Sequence, residues 1–156
     1  MIRRWLAIGV LVGAWGLCAA PVYAQNVPHT STSIGVRGGA SGDPEQFFFG
    51  GHVETPSLGH NTTFRPNVEV GFGDDVVLVA VNFDLVHWSR IPNTPWRLYA
   101  GGGVATNFNF NDFNDEMDGN VNAVIGLQHT SGFFGEMRVG RTPGVKVAAG
   151  FVLSRK

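Results

Sequence analysis

The chain has 156 residues with 11 basic and 12 acidic side chains, a formal net charge of −1. Nucleic-acid binding has no support, because there is no basic excess to neutralise phosphates. Charged residues make up only 15% of the chain, whereas 22 residues are glycine and 12 are phenylalanine. This mixture suits neither a disordered chain nor a helical bundle, and the length predicts one domain.

The N-terminal segment has the pattern of an export signal. Two arginines at residues 3–4 precede the apolar run WLAIGVLVGAWGL, and Val-Tyr-Ala at residues 22–24 supplies the small residues that a signal peptidase reads. We predict a signal peptide over residues 1–24, cleaved after Ala24, and one domain over residues 25–156. That domain would carry 9 basic and 12 acidic residues and no cysteine, which excludes disulfides and thiolate metal sites.

Alternation of apolar and polar residues with period two dominates the rest of the chain, and glycines interrupt every window that could become a helix. Eight segments with this alternation are separated by turn-forming residues such as Gly-Asp-Pro and Pro-Gly. The predicted strands are 32–41, 46–56, 62–73, 76–88, 95–106, 119–130, 133–141 and 145–154. The predicted fold is therefore an all-β, closed, eight-stranded antiparallel up-and-down barrel.

The two faces of these strands differ consistently. One face carries Val, Leu and Phe, as in the alternating apolar residues of 77–85, and the other carries glycine, asparagine and the charges. The predicted ion-pair network on this polar face comprises Arg37, His52, Glu54, Glu69, Asp84, Arg97, Glu136, Arg138 and Lys146. Its acids and bases are balanced, as a narrow lumen requires, because a buried unpaired charge costs several kcal/mol.

Three features predict that the apolar face contacts lipid. The polar face lacks the Lys- and Glu-rich character of a soluble surface. The apolar ladders are about as long as the 9–11 residues that a tilted strand needs to cross a bilayer. The strand number is even, and closure removes the unpaired strand edges that lipid does not tolerate. Export together with an apolar outer face predicts the outer membrane.

This pattern resembles the small eight-stranded outer-membrane barrels, the OmpA-like transmembrane domain and its relatives, over residues 30–154. The last strand, VKVAAGFVL, is similar to the segment that the assembly machinery reads, although the family usually ends on an aromatic residue and here Ser-Arg-Lys follows. The resemblance implies periplasmic termini, a monomer without cofactors, and contact with outer-membrane lipid, lipopolysaccharide and the assembly machinery.

On this topology the longest outer loop covers residues 107–118. The acidic residues expected in that extracellular loop are Asp112, Asp115, Glu116 and Asp118. Four residues of this segment match positions 1, 3, 5 and 6 of the EF-hand pattern: Asn114, Glu116, Asp118 and Gly119. Position 12 is Ile125 rather than Glu, so an acidic surface loop without metal is the favoured interpretation. Trp88 and Trp96 flank a turn at 89–95, and we expect both in the aromatic belt at the periplasmic interface.

Two alternatives to a non-enzymatic barrel with a structural, adhesive or protective role remain. His129-Thr130-Ser131 resembles the His-x-Ser motif of the lipid A deacylases, which would make the protein a lipid A-modifying hydrolase. Glu136 has the wrong parity to orient His129, however, and the register favours an odd hairpin loop around Ser131 and Gly132. The second alternative is a soluble periplasmic barrel that carries an apolar ligand inside.

Overall fold

The structure is a computed structural model that describes residues 29–42, 45–73, 76–110, 115–141 and 144–155. The predicted signal peptide lies outside the described residues. The strands are β1 (Ser33–Gly42), β2 (Glu45–Glu54), β3 (Thr62–Gly73), β4 (Val76–Arg90), β5 (Trp96–Phe110), β6 (Asp115–His129), β7 (Phe133–Gly140) and β8 (Val145–Arg155). Each lies close to a segment predicted from period-two alternation.

The eight strands form a closed barrel in which each pairs antiparallel with the next and β8 pairs with β1. The predicted fold class, an all-β closed eight-stranded antiparallel barrel, is confirmed. The closing pair places Val36 opposite Phe151, with one register shift between Ile34 and Gly35. Because the sheet is closed, every strand has two hydrogen-bonded neighbours and none lies at a sheet edge.

The described turns and both described chain ends lie at one end of the barrel, which we call the terminal end; the opposite end is the distal end. The β6–β7 turn is the predicted odd loop: Leu127 pairs with Gly135, which leaves the three residues 130–132 as the connection. Gly132 adopts φ = 104°, a conformation that glycine reaches without a steric cost.

Strands β5 and β6 are longer than predicted. They continue pairing until Phe110 lies opposite Asp115, so most of the predicted loop 107–118 is regular hairpin. Asp115, Glu116 and Asp118 are therefore strand residues, which corrects their assignment to an extracellular loop; Asp112 lies outside the described residues. Asn and Phe alternate along residues 107–110, which is a period-two pattern typical of a strand. The prediction of a loop followed instead from the many Asn and Asp residues, which are typical of turns.

The distribution of side chains is the reverse of that in a soluble barrel. Large apolar side chains point outward, with Val121 exposed by 73% and Phe47 by 72%, whereas Asp84 and Glu69 inside the barrel are exposed by 0% and 1%. An apolar ligand would need an apolar interior, and the polar and charged side chains inside this barrel do not provide one. Among the described residues no helix is long and apolar enough to cross a membrane.

Candidate functional site: the polar lumen

Glu136 on β7 is the centre of the lumen network. Its Oε1 accepts a hydrogen bond from Arg37 Nη1 at 2.5 Å, and its Oε2 accepts from Arg65 Nη2 at 2.8 Å and from Tyr99 Oη at 2.9 Å. Arg138 Nη2 approaches Oε1 at 3.4 Å. These donors come from β1, β3, β5 and β7, so the carboxylate ties together strands that are not neighbours in the sheet.

A second carboxylate, Asp84 on β4, holds Arg138 in a bidentate pair. Arg138 Nη1 donates to Oδ1 at 2.9 Å and Nη2 donates to Oδ2 at 2.8 Å, the fork geometry that gives arginine–carboxylate pairs their strength. Asn67 Nδ2 donates to Asp84 Oδ2 at 2.9 Å, and Asn122 Oδ1 accepts from Arg138 Nη1 at 2.8 Å. Side chains of β3, β4, β6 and β7 thus meet in one hydrogen-bonded layer across the lumen.

Towards the distal end, Lys146 on β8 pairs with Glu69 on β3. Lys146 Nζ donates to Glu69 Oε2 at 2.6 Å and also lies 4.8 Å from the centre of the Phe48 ring. Arg37 Nε lies 3.5 Å from Glu69 Oε1, so this pair is connected to the Glu136 cluster. The three carboxylates Glu69, Asp84 and Glu136 therefore belong to one continuous network.

Towards the terminal end, the polar network gives way to a buried cluster of Val86, Trp88, Tyr99 and Val124. The Trp88 and Tyr99 ring centres are 4.7 Å apart, and Trp88 Nε1 donates to Thr63 Oγ1 at 3.1 Å. The His29 ring covers Trp88 at 4.7 Å, and its Nδ1 lies 2.9 Å from Glu54 Oε1. Aromatic rings thus occupy the lumen at this end.

The placement of Trp88 in the aromatic belt was wrong. Its side chain is 1% exposed and lies inside the barrel, because β4 continues to Arg90 and the alternation that points Val77 to Leu85 outward turns residue 88 inward. Trp96 does have the outward parity, and its ring packs edge-on against His129 at 5.0 Å.

Eight of the nine residues predicted for the lumen network are buried; Arg97 is only partly buried. Six of them contact one another directly in the central network: Arg37, Glu69, Asp84, Glu136, Arg138 and Lys146. His52 instead packs against the edge of Phe134 at 5.4 Å. Glu54 and Arg97 both contact His29 near the terminal end.

Sequence reasoning missed Arg65 and Tyr99, although both donate to Glu136. The Arg65 guanidinium also lies over the Tyr99 ring, 4.7 Å from its centre. Arg65 shares its parity with Glu69 on the same strand, and this signal would have found it. Tyr99 has the parity of Arg97, but a tyrosine carries no charge and gave no reason to assign it to an ion-pair network.

A small cavity lies among the polar side chains of the lumen. A cavity of about 10 Å³ between Arg138, Lys146 and the asparagines of β4, β5 and β6 is roughly the volume that one water occupies. Glycines make this packing possible: a Cβ on Gly126 would lie within 3.0 Å of the Tyr99 ring and of the Gly135 carbonyl. Close packing of this kind is typical of the interior of an eight-stranded barrel.

The elements of the predicted hydrolase motif are only partly assembled. His129 Nδ1 lies 2.8 Å from Ser131 Oγ and accepts a hydrogen bond from the Ser131 amide at 3.1 Å. Both residues lie at the three-residue turn of the terminal end. Glu136, the nearest acid in the sequence, points into the lumen and is held by arginines, so it does not orient the histidine.

No metal centre is assembled in the part of the chain that the structure describes: no group of three or more His, Cys, Asp or Glu side chains could hold an ion. Residues 115–119 of the partial EF-hand match form an extended strand rather than a loop. An EF-hand needs a 12-residue loop that folds around the ion, and a continuous strand from residue 115 onward does not supply one.

In a comparison with solved structures, the chain is similar to the N-terminal β-barrel domain of Pseudomonas aeruginosa OprF. The TM-score is 0.58 with 18% identity, and the match covers 81% of this chain and 99% of that chain. No protein-family model and no curated protein matches the chain. At this identity the likeness establishes the fold alone, and the predicted resemblance to the small OmpA-like barrels is confirmed as a resemblance of fold.

Proposed function

We propose that the protein is an integral outer-membrane β-barrel with a structural, non-enzymatic role, whose lumen is closed by the Glu136 network and the aromatic cluster around Trp88. The observation that carries this proposal is the reversed distribution of side chains. Outward positions are apolar on all eight strands, from Ile34 on β1 to Leu153 on β8, whereas the inward positions hold the ion pairs. Water would expose this apolar surface at a large cost, and a bilayer would not.

Strand length supports the same proposal. The strands contain between 8 and 15 residues, which brackets the 9–11 residues needed to cross a bilayer at a tilt. Closure also satisfies the backbone hydrogen bonds of every strand, the condition for spanning lipid with β-structure. The likeness in fold to the OprF barrel domain agrees with a location in the outer membrane.

The filled lumen supports a structural role rather than a wide pore. The bidentate Arg138–Asp84 pair and the contacts of Glu136 cross the barrel at its middle, and opening a pore would separate buried charges at several kcal/mol each. No acid of the described residues contacts the dyad of His129 and Ser131, so the arrangement there lacks the support that an activated nucleophile needs.

The test is expression of the full chain in a Gram-negative host, followed by separation of the membranes and gel electrophoresis with and without boiling. We expect the protein in the outer-membrane fraction, with a folded form that migrates differently from the boiled form. Recovery of folded protein in the periplasmic extract without detergent would contradict the proposal.

A further inference from the structure

A depression of about 430 Å³ lies on the outer face of the barrel and crosses strands β1 to β4. Its volume falls within the range of roughly 300–1,000 Å³ that is typical of ligand sites. Gly51 on β2 lies at its centre, because the sheet register places this residue between Val36 of β1 and Val68 of β3. The surrounding walls are exposed apolar side chains: Ile34, Val36, Val53, Val68 and Phe83. We call this depression the Gly51 groove.

The side chains that face the Gly51 groove are apolar. His52 and Asn67 also belong to its lining, but both have the inward parity and their side chains are buried in the lumen. Asn67 donates to Asp84 there, and the His52 ring packs against Phe134. Among the described residues, therefore, no polar side chain is turned towards an occupant of the groove. Such an occupant gains nothing from charge or side-chain hydrogen bonds, so it must itself be apolar.

Neither the backbone nor the packing requires glycine at residue 51. Apart from its chain neighbours, a Cβ there would meet one heavy atom within 4 Å, the Gly35 carbonyl oxygen at 3.4 Å, which is an ordinary contact. At Gly50, by contrast, a Cβ would lie 2.3 Å from the Val68 carbonyl oxygen and could not fit. Gly51 also lacks the positive φ of Gly132. Glycine weakens the interior of a strand, so the open surface at Gly51 is kept at a cost in stability.

We propose that the Gly51 groove binds one acyl chain of a phospholipid from the membrane leaflet at the terminal end. The inference rests on the proposed membrane location, since the groove belongs to the apolar outer face that lipid would cover. On β1 and β2 its lining lies near the terminal end, between Ile34 and Val53, which selects that leaflet. A chain inside a depression contacts protein atoms on more sides than a chain on a smooth wall, and each added contact contributes dispersion energy.

A second copy of this chain fits the groove less well. A stable interface buries about 800 Å² on each partner, whereas the groove is only about three residues wide on each strand, as at 34–36, 51–53 and 66–68. The outer wall of a closed barrel is convex, so a rigid second barrel touches it along a narrow strip. A flexible acyl chain, by contrast, can enter a depression of this size.

The experiment uses the folded full-length protein in vesicles of phosphatidylethanolamine and phosphatidylglycerol. A small fraction of the phospholipid carries a photoreactive diazirine in the middle of one acyl chain, and mass spectrometry maps the labelled residues after illumination. Gly51→Leu fills the groove, and Gly51→Ala fills it in part. Ala123→Leu is the matched control, since Ala123 is an exposed outward residue of β6 that does not line the groove. Boiled and unboiled gels verify that each variant is folded.

In wild type we expect the residues that line the groove to be labelled more heavily than the outward residues of β5 to β8. The excess should be about fivefold, which corresponds to a preference of about 1 kcal/mol. Gly51→Leu should abolish this excess, because its side chain occupies the space of the acyl chain, and Gly51→Ala should be intermediate. Ala123→Leu should give the wild-type pattern.

Uniform labelling around a folded wild-type barrel that has entered the vesicles would overturn the groove and leave the proposed function standing. An excess that persists in folded Gly51→Leu would overturn it as well. Gly51→Cys tests the second copy, since the only native cysteine, Cys18, lies in the predicted signal peptide; a disulfide-linked dimer in the vesicles would assign the groove to a second copy and overturn the proposal. Failure of wild type to enter vesicles at all would contradict the proposed function and remove this inference with it.

Discussion

Replacing Glu136 by glutamine tests whether the lumen network is one electrostatic unit. Glu136 carries the only carboxylate that contacts Arg37, Arg65 and Arg138 together among the described residues. With Glu136 neutral, the central network holds the four cations Arg37, Arg65, Arg138 and Lys146 against two carboxylates, Glu69 and Asp84. The amide group of glutamine also places a donor where an arginine donor already lies.

The expected cost follows from the contacts that are lost. Removing one partner of a buried ion pair costs about 3–5 kcal/mol, because the other charge stays buried without compensation. Glu136 accepts from two guanidinium groups at 2.5 and 2.8 Å and from Tyr99 at 2.9 Å, so we expect the upper part of that range. Since small domains are stable by only about 5–15 kcal/mol, Glu136→Gln should be strongly destabilised.

The assay is equilibrium unfolding by denaturant in lipid vesicles, followed by tryptophan fluorescence, with the free energy of unfolding as the readout. The matched control is Glu54→Gln, an isosteric change in the same lumen, whose carboxylate lies 2.9 Å from His29; we expect a loss of only about 1.5 kcal/mol. Adding Arg65→Gln to Glu136→Gln should restore part of the loss, because the second change removes one stranded charge. A loss below about 1 kcal/mol for Glu136→Gln, or one equal to that of the control, would refute the reasoning.

Four further predictions concern the outer face, the turn and the lumen. Val104→Arg places a charge on the outward face near the middle of β5, where Val104 is 56% exposed. It should destabilise the protein by about 2–4 kcal/mol in vesicles, with Val104→Ala as the uncharged control. An unchanged free energy of unfolding for Val104→Arg would argue against a lipid-facing position. Gly132→Ala should cost about 1 kcal/mol in the same unfolding measurement, because residue 132 has φ = 104° and alanine avoids that region; an unchanged midpoint would count against the turn geometry. Gly126→Ala should displace the Tyr99 ring and lower the free energy of unfolding by about 1–3 kcal/mol. Planar-bilayer recordings of wild type should contain no stable nanosiemens currents, and such currents would contradict a closed lumen.

Period-two alternation was sufficient to predict the strands and their faces. In a sheet, one residue of slip moves every side chain to the opposite face, so the apolar ladder from Val77 to Leu85 determined which positions of β4 share a face. The length of the ladders, the even strand number and the scarcity of Lys and Glu on the polar face predicted that the apolar face points outward. The same reasoning predicted the odd β6–β7 loop, since an even loop would have paired Leu127 with Glu136. The alternation needed no long-range information, because the side chains of each strand reveal its two faces.

The errors have a local cause as well. Trp88 was assigned to the membrane interface because tryptophan is frequent there, but its parity within β4 was inward. The hairpin of β5 and β6 was cut short because asparagine and aspartate are typical of turns, whereas Asn107 and Asp118 pair within the sheet. In both cases residue type was given more weight than alternation.

The sequence alone determined the set of strands, the two faces of each strand and which charged side chains lie on the polar face. Which charges meet was decided only by the tertiary structure. Arg37 and Glu136 are 99 residues apart, and Arg65 and Glu136 are 71 residues apart; the pairs form because closure brings β1, β3 and β7 around one lumen. The tilt and stagger of the closed sheet set the height of each side chain along the axis, and no local pattern in the sequence encodes that height.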